Sequence, residues 1–294
     1  MIEAAGAFGL ALAGSMALVP AAKRLSERFG AWDFPDSRKL HCVPMPRLGG
    51  LAVWGGFCAA ALGGLGHAPA GFLAGGSLVL AAGVWEDARG LSAFRRLGLQ
   101  LAGAALAVGL GVGAGFWNGL PGGLWAERFF LVLWLAGLAN AFNFLDGMDG
   151  EACSLGALAG IFLAVMAPVP AWRLPAAGLA GACLGFLPAN WKPAKIFLGD
   201  GGSTFIGFAA AALAAPYGLL PAALLMGLPL ADLCQTTITR ILSGRVKTIR
   251  DWLEATGKDH LHHLLLERGC SVPGAVAILA AVQTALGFLA LAAR

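Results

Sequence analysis

Polar residues that could perform chemistry are gathered in five short segments, and each segment borders an apolar run. The densest one, 140–150, follows the pattern N-x-x-N-x-x-D-G-x-D-G. Carboxylate and amide oxygens between glycine turns suit a hard cation or the polar edges of a nucleotide. A helix cap at Asp149 is the simpler alternative, but it leaves Asn143 and Asp146 unexplained. We therefore interpret this segment as functional.

The segment 190–204 contains Lys195, Phe197 and Asp200, with glycines on both sides of the aspartate. Small residues let a phosphate approach the backbone, and the start of the following helix favours an anion. The spacing is not that of a Walker A loop, which ends in Gly-Lys-Ser or Gly-Lys-Thr. A flexible connector with a helix cap at Ser203 is the alternative.

Two further segments carry charges that suit phosphates or a metal ion. The proline-rich loop before the second apolar run is either a phosphate-binding loop or a basic anchor at the membrane surface. Its candidate phosphate-binding residues are Arg38, Lys39, His41 and Arg47. The pair Glu86-Asp87 follows the third apolar run; it either binds a divalent cation, accepts a proton, or ends a helix in water.

The last polar segment contains three histidines, His260, His262 and His263, directly after Asp259. Imidazole nitrogens can donate hydrogen bonds to a phosphate or a sugar. A solvated basic surface is the alternative. Zinc is disfavoured because neither cysteines nor the H-E-x-x-H spacing accompany the histidines.

Composition restricts the kind of protein that positions these segments. Of 294 residues, 58% are hydrophobic and 12% are charged, too few to cover the surface of a soluble domain. This excludes an ordinary cytosolic domain, a disordered chain and a secreted disulfide scaffold. No basic block alternates with aromatic residues, so nucleic acid is not an expected partner. We predict an all-α, polytopic integral membrane protein in which residues 1–294 form one catalytic domain.

Ten apolar runs are predicted to cross the lipid bilayer. They lie at about 4–22, 48–66, 70–85, 97–116, 127–142, 152–168, 174–190, 203–215, 218–236 and 273–292. The five loops on one side hold 17 of the 20 Lys and Arg residues and 13 of the 16 Asp and Glu residues. By the positive-inside rule this side is cytoplasmic and both termini lie outside. The active site is therefore expected at the cytoplasmic face.

Together the five segments resemble the polyprenyl-phosphate N-acetylhexosamine-1-phosphate transferases, glycosyl transferase family 4, and most of all their undecaprenyl-phosphate GlcNAc-1-phosphate branch. The motifs are D-x-P-x-x-R-K-x-H-x-x-P-x-P-R-x-G-G at 33–50, the pattern at 140–150, N-x-x-P-A-K-I-F-x-G-D-x-G-S at 190–203, and H-x-H-H at 260–263.

The resemblance implies an enzyme of the bacterial inner membrane that uses Mg²⁺, with Mn²⁺ as the alternative ion. It would transfer N-acetylhexosamine-1-phosphate from a UDP-sugar to undecaprenyl phosphate and release UMP. That reaction is the first membrane step of a cell-wall or lipopolysaccharide polymer. A homodimer is one assembly that the resemblance allows.

The resemblance also implies roles for single residues. Asp200, with Asp87, corresponds to the metal site, and Phe197 to the ring that stacks on uracil. The implied catalytic residues are Glu86, Asp87, Asp200, His260, His262 and His263. The implied substrate-binding residues are Arg38, Lys39, His41, Arg47, Asn143, Asp146, Asp149, Lys195 and Phe197. The family usually has Asp at position 86, so which of the two acids, Glu86 or Asp87, contacts the lipid phosphate stays open.

Two other functions stay open at the level of sequence. A transporter of nucleotide sugars or lipids would need inverted repeats and polar residues near the middle of the membrane, and the sequence has neither. A scaffold that has lost activity is suggested only by Glu86.

Overall fold

The computed structural model describes residues 2–35, 41–63, 70–113, 122–254 and 257–294. Within these ranges the chain is almost entirely helical, which confirms the all-α prediction. The helices are α1 (Ile2–Phe29), α2 (Gly50–Gly63), α3 (Ala70–Arg89), α4 (Ala93–Gly109), α5 (Gly123–Phe144), α6 (Glu151–Met166), α7 (Pro170–Asn190), α8 (Gly199–Ala214), α9 (Leu219–Leu225), α10 (Gly227–Leu242), α11 (Ile249–Glu254), α12 (Leu261–Glu267) and α13 (Val272–Ala292). Two short strands, β1 (Trp32–Asp33) and β2 (Met45–Pro46), pair antiparallel.

Three of the described helices, α1, α5 and α13, are long and apolar enough to cross a membrane. The bent pair α9–α10 passes the same test when it is taken as one span. The structure thus supports a membrane protein. The count of ten spans and the side on which the termini lie stay predictions.

The predicted ninth span, 218–236, corresponds to this bent pair, in which α9 and α10 meet at a bend of 76°. Pro229 lacks the N–H that would bond to the carbonyl of Leu225 in a continuous helix. The buried Gln283 of α13 donates to that carbonyl instead, over 2.7 Å. A side chain from a neighbouring helix therefore stabilises the break.

Helix α8 lies at the centre of the fold and packs against α3, α5 and α6. Every residue of α8 except Asp200 is buried. The apolar side chains of α8 therefore form the middle of the core, while Asp200 in its first turn faces outward from it.

Close glycine contacts bring two other helices to the first turn of α8. A Cβ on Gly83 of α3 would overlap Gly201, and a Cβ on Gly50 of α2 would overlap Gly202. Small residues at such contacts let helix backbones approach closely. As a result the end of α3 and the loop before α2 meet at the start of α8.

Candidate active site

A cavity of about 310 Å³ opens beside the first turn of α8. Four of the five polar segments contribute to its walls. The lining residues are Asp33, His41, Arg47, Asn143, Asp146, Gly147, Met148, Asp149, Asn190, Phe197, Leu198, Gly199, Asp200 and His263. The fold thus gathers residues that lie up to 230 positions apart in the chain.

Asp87 anchors the start of α8. Its carboxylate is buried and accepts hydrogen bonds from the backbone N–H groups of Asp200 and Gly201, each over 3.0 Å. Arg47 Nη2 lies 2.8 Å from Asp87 Oδ1. A carboxylate at this position is favoured because helix N-termini carry unpaired N–H groups and a partial positive charge. Gly199, at φ +75°, leaves room for this arrangement, since a Cβ there would overlap Arg47 and crowd Asp87.

Asp200 lies between two arginines. Its Oδ2 is 2.9 Å from Arg96 Nη1, and its Oδ1 is 3.4 Å from Arg47 Nη2. Arg47 comes from the proline-rich loop and Arg96 from the first turn of α4. The site therefore places two positive charges beside the one acid of α8.

Glu86 contacts the turn between α3 and α4. It accepts a hydrogen bond from the backbone N–H of Leu91, and its Oε1 lies 3.9 Å from Arg96 Nη1. It is absent from the cavity lining. Of the two adjacent acids, Asp87 therefore bonds to the first turn of α8, and Glu86 bonds to the turn before Arg96.

Backbone hydrogen bonds connect the proline-rich loop to the segment that contains Phe197. Phe197 N–H donates to the carbonyl of Pro46, and the N–H of Gly49 donates to the carbonyl of Phe197. His41 Nε2 lies 2.8 Å from Asp33 Oδ2, and its ring meets that of Phe197 edge-on with centroids 5.1 Å apart. The two rings form one wall of the cavity.

Arg38 and Lys39 lie outside the described residues. Lys195 is described and exposed, but it does not line the cavity. Its backbone N–H donates to the carbonyl of Ala189.

In the segment 140–150, some side chains bond to other segments of the protein, and Asp146 lines the cavity. Asp149 accepts a hydrogen bond from the N–H of Ala194 and lies 3.5 Å from Lys192 Nζ, so it connects two segments. Asn143 accepts from the Ser203 hydroxyl over 2.6 Å. Asp146 lines the cavity; burial, with the nearby Glu151 and Asp200 carboxylates, raises its pKa well above the usual range.

The three histidines have different surroundings, and only His263 lines the cavity. His260 Nδ1 lies 2.8 Å from Asp232 Oδ2, behind the cavity wall. His262 is buried, and its Nδ1 lies 3.4 Å from Glu151 Oε2. The prediction that the segment faces sugar and phosphate thus has geometric support at one position of three.

Residues before α12 hold this segment in place. The N–H of Leu261 donates to Asp232 Oδ1 over 2.7 Å. Arg240 makes two hydrogen bonds to Asp259, and this lowers the pKa of the Asp259 carboxyl to about 2.

The donor set of the cavity fits a magnesium–phosphate complex better than a closed metal cage. Among the described residues, no three His, Cys, Asp or Glu side chains surround a common point. Asp87 is not among the residues that line the cavity, and its role as a metal ligand stays a prediction. Asp146 and Asp200 remain on the cavity wall. Mg²⁺ is typically held by one or two carboxylates together with substrate phosphates, and these two acids suit that arrangement.

Sequence reasoning missed Arg96 and Glu151. Arg96 is part of a basic pair before an apolar run, a pattern typical of a membrane anchor. Glu151 resembles an ordinary acid in the first turn of a helix. Neither pattern indicates the long-range contact that the structure shows.

The fold and the cavity describe a membrane protein with a polar cavity beside a helix N-terminus. The family model described as "Glycosyl transferase family 4" matches residues 69–217. A "Probable undecaprenyl-phosphate N-acetylglucosaminyl 1-phosphate transferase" from Bacillus subtilis is 32% identical over 92% of this chain and 79% of the relative. A "Decaprenyl-phosphate N-acetylglucosaminephosphotransferase" from Mycobacterium tuberculosis is 32% identical over 85% of this chain and 72% of the relative.

A "Phospho-N-acetylmuramoyl-pentapeptide-transferase" from Limosilactobacillus fermentum is also 32% identical, over 45% of this chain and 46% of the relative. The chain belongs to glycosyl transferase family 4 and is a phosphoglycosyl transferase.

Proposed function

We propose that this protein transfers N-acetylglucosamine-1-phosphate from UDP-N-acetylglucosamine to undecaprenyl phosphate and releases UMP. The observation that carries the proposal is the position of Asp200. It lines the polar cavity and contacts Arg96, which lies at the end of an apolar groove. A water-soluble nucleotide and a lipid phosphate would meet at this point.

The polar cavity suits the nucleotide sugar. Phe197 offers a ring for uracil, and Asn143 offers an amide on the same cavity. Arg47 lines the wall near Asp200, where a diphosphate would find a positive charge and the N-terminus of α8.

The apolar groove suits the polyprenyl chain. Two adjoining depressions of about 260 and 180 Å³ share Leu133, Gly137 and Leu233, and run between α5 and α10. Their walls are almost wholly apolar, and Arg96 borders the groove at one end. A lipid lying here would place its phosphate beside Arg96. The names of the two relatives, which specify undecaprenyl and decaprenyl phosphate, support this occupant.

The chemistry requires alignment more than activation. An oxygen of the lipid phosphate attacks the sugar-bearing phosphorus of the donor, and the bond from that phosphorus to the UMP oxygen breaks. The attacking phosphate is largely dianionic near neutral pH, so it scarcely needs a general base. Arg47 and Arg96 reduce the repulsion between the two anions and orient them for in-line attack. When bound at Asp146 and Asp200, Mg²⁺ would supply further neutralisation of phosphate charge.

The proposed membrane placement has ten spans, both termini outside and the cavity on the cytoplasmic side of the bacterial inner membrane. The one-sided distribution of Lys and Arg supports it. Attachment of a membrane-impermeant thiol reagent to single cysteines in the loops would test each side.

The central experiment uses the purified full chain with UDP-N-acetylglucosamine, Mg²⁺ and undecaprenyl phosphate, and measures UMP. We expect UMP release that depends on the lipid and is lost in Asp200→Asn. UMP from another UDP-N-acetylhexosamine alone would change the assigned sugar. Uptake of UDP-sugar into sealed vesicles with no UMP would indicate a transporter, and neither result would indicate a scaffold.

A further inference from the structure

Glu151, the first residue of α6, lies behind the active-site cavity with no exposed surface. Neither oxygen of its carboxylate makes a hydrogen bond of good geometry to the described residues, although the backbone N–H groups of Gly147 and Met148 lie near enough to lower its pKa. A carboxylate with such weak partners is costly to bury, and an apolar residue would fill this position at lower cost. The acid at this position therefore requires a partner or a function.

The group that faces Glu151 is the middle histidine of the H-x-H-H segment. His262 Nδ1 lies 3.4 Å from Glu151 Oε2, and the imidazole is buried as well. Neither ring nitrogen of His262 makes a hydrogen bond within the described part of the chain. A small side-chain rotation would shorten the distance to the roughly 2.8 Å of a hydrogen bond. His262 is therefore the side chain that this carboxylate faces, beside the backbone N–H groups of Gly147 and Met148.

Burial sets the charge of both groups. It raises the pKa of Glu151, which precedes the predicted span, well above the usual range, and the Asp232 carboxylate adds to this effect. Burial, and then the neighbouring His260, lowers the pKa of His262 to about 4. This environment favours a carboxylic acid beside an uncharged imidazole.

An uncharged imidazole carries a hydrogen on only one of its two ring nitrogens. The hydrogen-bond partners of the two nitrogens determine which one carries it. A protonated Glu151 can donate only to a nitrogen that lacks hydrogen. Since Nδ1 faces Glu151, the ring hydrogen must then lie on Nε2. That nitrogen points at the backbone of Gly147, where a Cβ would overlap it.

We propose that Glu151 is a positioning residue of the transferase site, which donates its carboxyl hydrogen to His262 Nδ1 and so fixes the Nε2–H form of that ring. The consequence reaches the cavity through two contacts. His262 packs against Gly147, which lines the cavity, and its ring centroid lies 4.2 Å from that of His263. A fixed His262 therefore holds His263 and the glycine turn in place. The kinetic part of this inference rests on the proposed function.

Two substitutions at position 151 separate hydrogen donation from other roles. Glu151→Gln keeps the size and a donor group, so it can still bond to Nδ1. Glu151→Leu removes the donor at similar volume. We expect Glu151→Gln to keep most of kcat, while Glu151→Leu lowers kcat by about 10- to 100-fold with little change in KM for the UDP-sugar. Glu27→Leu, at an exposed position of α1, is the control and should leave kcat unchanged.

Thermal unfolding in detergent distinguishes positioning from a purely structural role. Glu151→Leu leaves the buried Nδ1 of His262 without its donor, so its Tm should fall, while Glu151→Gln should keep the Tm of the wild type. Because kinetics measured well below both Tm values involve only folded protein, a Glu151→Leu kcat that returned to the wild-type value there would overturn the proposal in favour of simple structural support. Loss of activity in Glu151→Gln equal to that in Glu151→Leu would show that the acid exchanges a proton rather than positions a ring.

Nitrogen NMR of protein with ¹⁵N-labelled histidine tests the tautomer without any assay of activity. The His262 signals are assigned from their absence in His262→Gln. We expect an unprotonated Nδ1 and a protonated Nε2 in the wild type and in Glu151→Gln, and a mixture of tautomers in Glu151→Leu. Hydrogen on Nδ1 in the wild type would overturn the proposal even if Glu151→Leu failed to fold. An inactive wild type with the expected tautomer would instead contradict the proposed function alone.

Discussion

Arg96 Nη1 lies 2.9 Å from Asp200 Oδ2, although 104 positions separate the two residues. Asp200 lines the polar cavity and Arg96 borders the apolar groove. One ion pair therefore connects the proposed binding sites of the two substrates. When a substrate phosphate binds, it can compete with the Asp200 carboxylate for Arg96. Arg96 can therefore exchange the carboxylate for the phosphate.

Arg96→Gln should impair the lipid substrate more than the nucleotide. We expect kcat/KM for undecaprenyl phosphate to fall by about 10- to 100-fold, the range for loss of a charged hydrogen bond, with KM for the UDP-sugar nearly unchanged. Steady-state kinetics with each substrate varied in turn would measure this. The matched control is Arg95→Gln, which removes the exposed neighbouring arginine. Equal losses in the two variants would show that general surface charge, not the Asp200 contact, matters.

The acids Glu86 and Asp87 should differ sharply in importance. In Asp87→Asn an amide group replaces one carboxylate oxygen and confronts a backbone N–H of Asp200 or Gly201. The buried mismatch and the weakened bond to Arg47 should lower kcat about 100-fold. Glu86→Gln keeps an acceptor for the N–H of Leu91 and should retain most activity. UMP release by both variants measures the difference, and a fully active Asp87→Asn would contradict the assignment.

The sequence identifies the polar segments well, because acids, amides and histidines are conspicuous in a chain that is 58% hydrophobic. It does not identify which side chain of a segment faces the cavity. Glu86 and Asp87 are adjacent on one helix, so their side chains point about 100° apart. The apolar surroundings of α3 do not reveal its rotation. Only the contact of α3 with α8 decides that Asp87 faces the first turn of α8, and Asp87 itself does not line the cavity.

The histidine segment illustrates the same limit. His262 and His263 are neighbours, yet one is buried against Glu151 and the other lines the cavity. Their positions depend on contacts with residues more than a hundred positions away. The bend between α9 and α10 is a different case. Gly227 and Pro229 lie at this bend, and the apolar run of 218–236 does not by itself show that the helix breaks there.

Gly147→Ala should damage the site without exposing any new surface. The added Cβ would overlap the imidazole of His262, which is buried and has little room to move. We expect a loss of at least about tenfold in kcat and a lower Tm, since overpacking a buried contact typically costs 1–3 kcal/mol, as a rough range. The control is Gly98→Ala on α4, where nothing lies within 4 Å of the added Cβ. That change should be neutral or slightly stabilising, because alanine favours helix more than glycine does.

The depressed pKa of His262 predicts how stability depends on pH. Its folded-state pKa is about 4, against 6.5 for the ordinary side chain, because burial and His260 disfavour the charged ring. The unfolded chain therefore binds more protons between these values, and the contribution of His262 is complete above pH 6.5 and is lost as pH falls towards 4. The shift corresponds to about 3 kcal/mol of unfolding free energy.

Thermal unfolding of the detergent-solubilised protein between pH 7.5 and 4.5 would measure this dependence, and we expect Tm to fall through that window. The variant His262→Gln lacks the titrating ring, so its Tm should be lower at pH 7.5 but fall less steeply on acidification. His263, whose pKa burial also lowers to about 4, contributes a smaller share because its side chain is more exposed. Parallel curves for the wild type and His262→Gln would contradict the assignment, since a buried neutral imidazole must respond to acid.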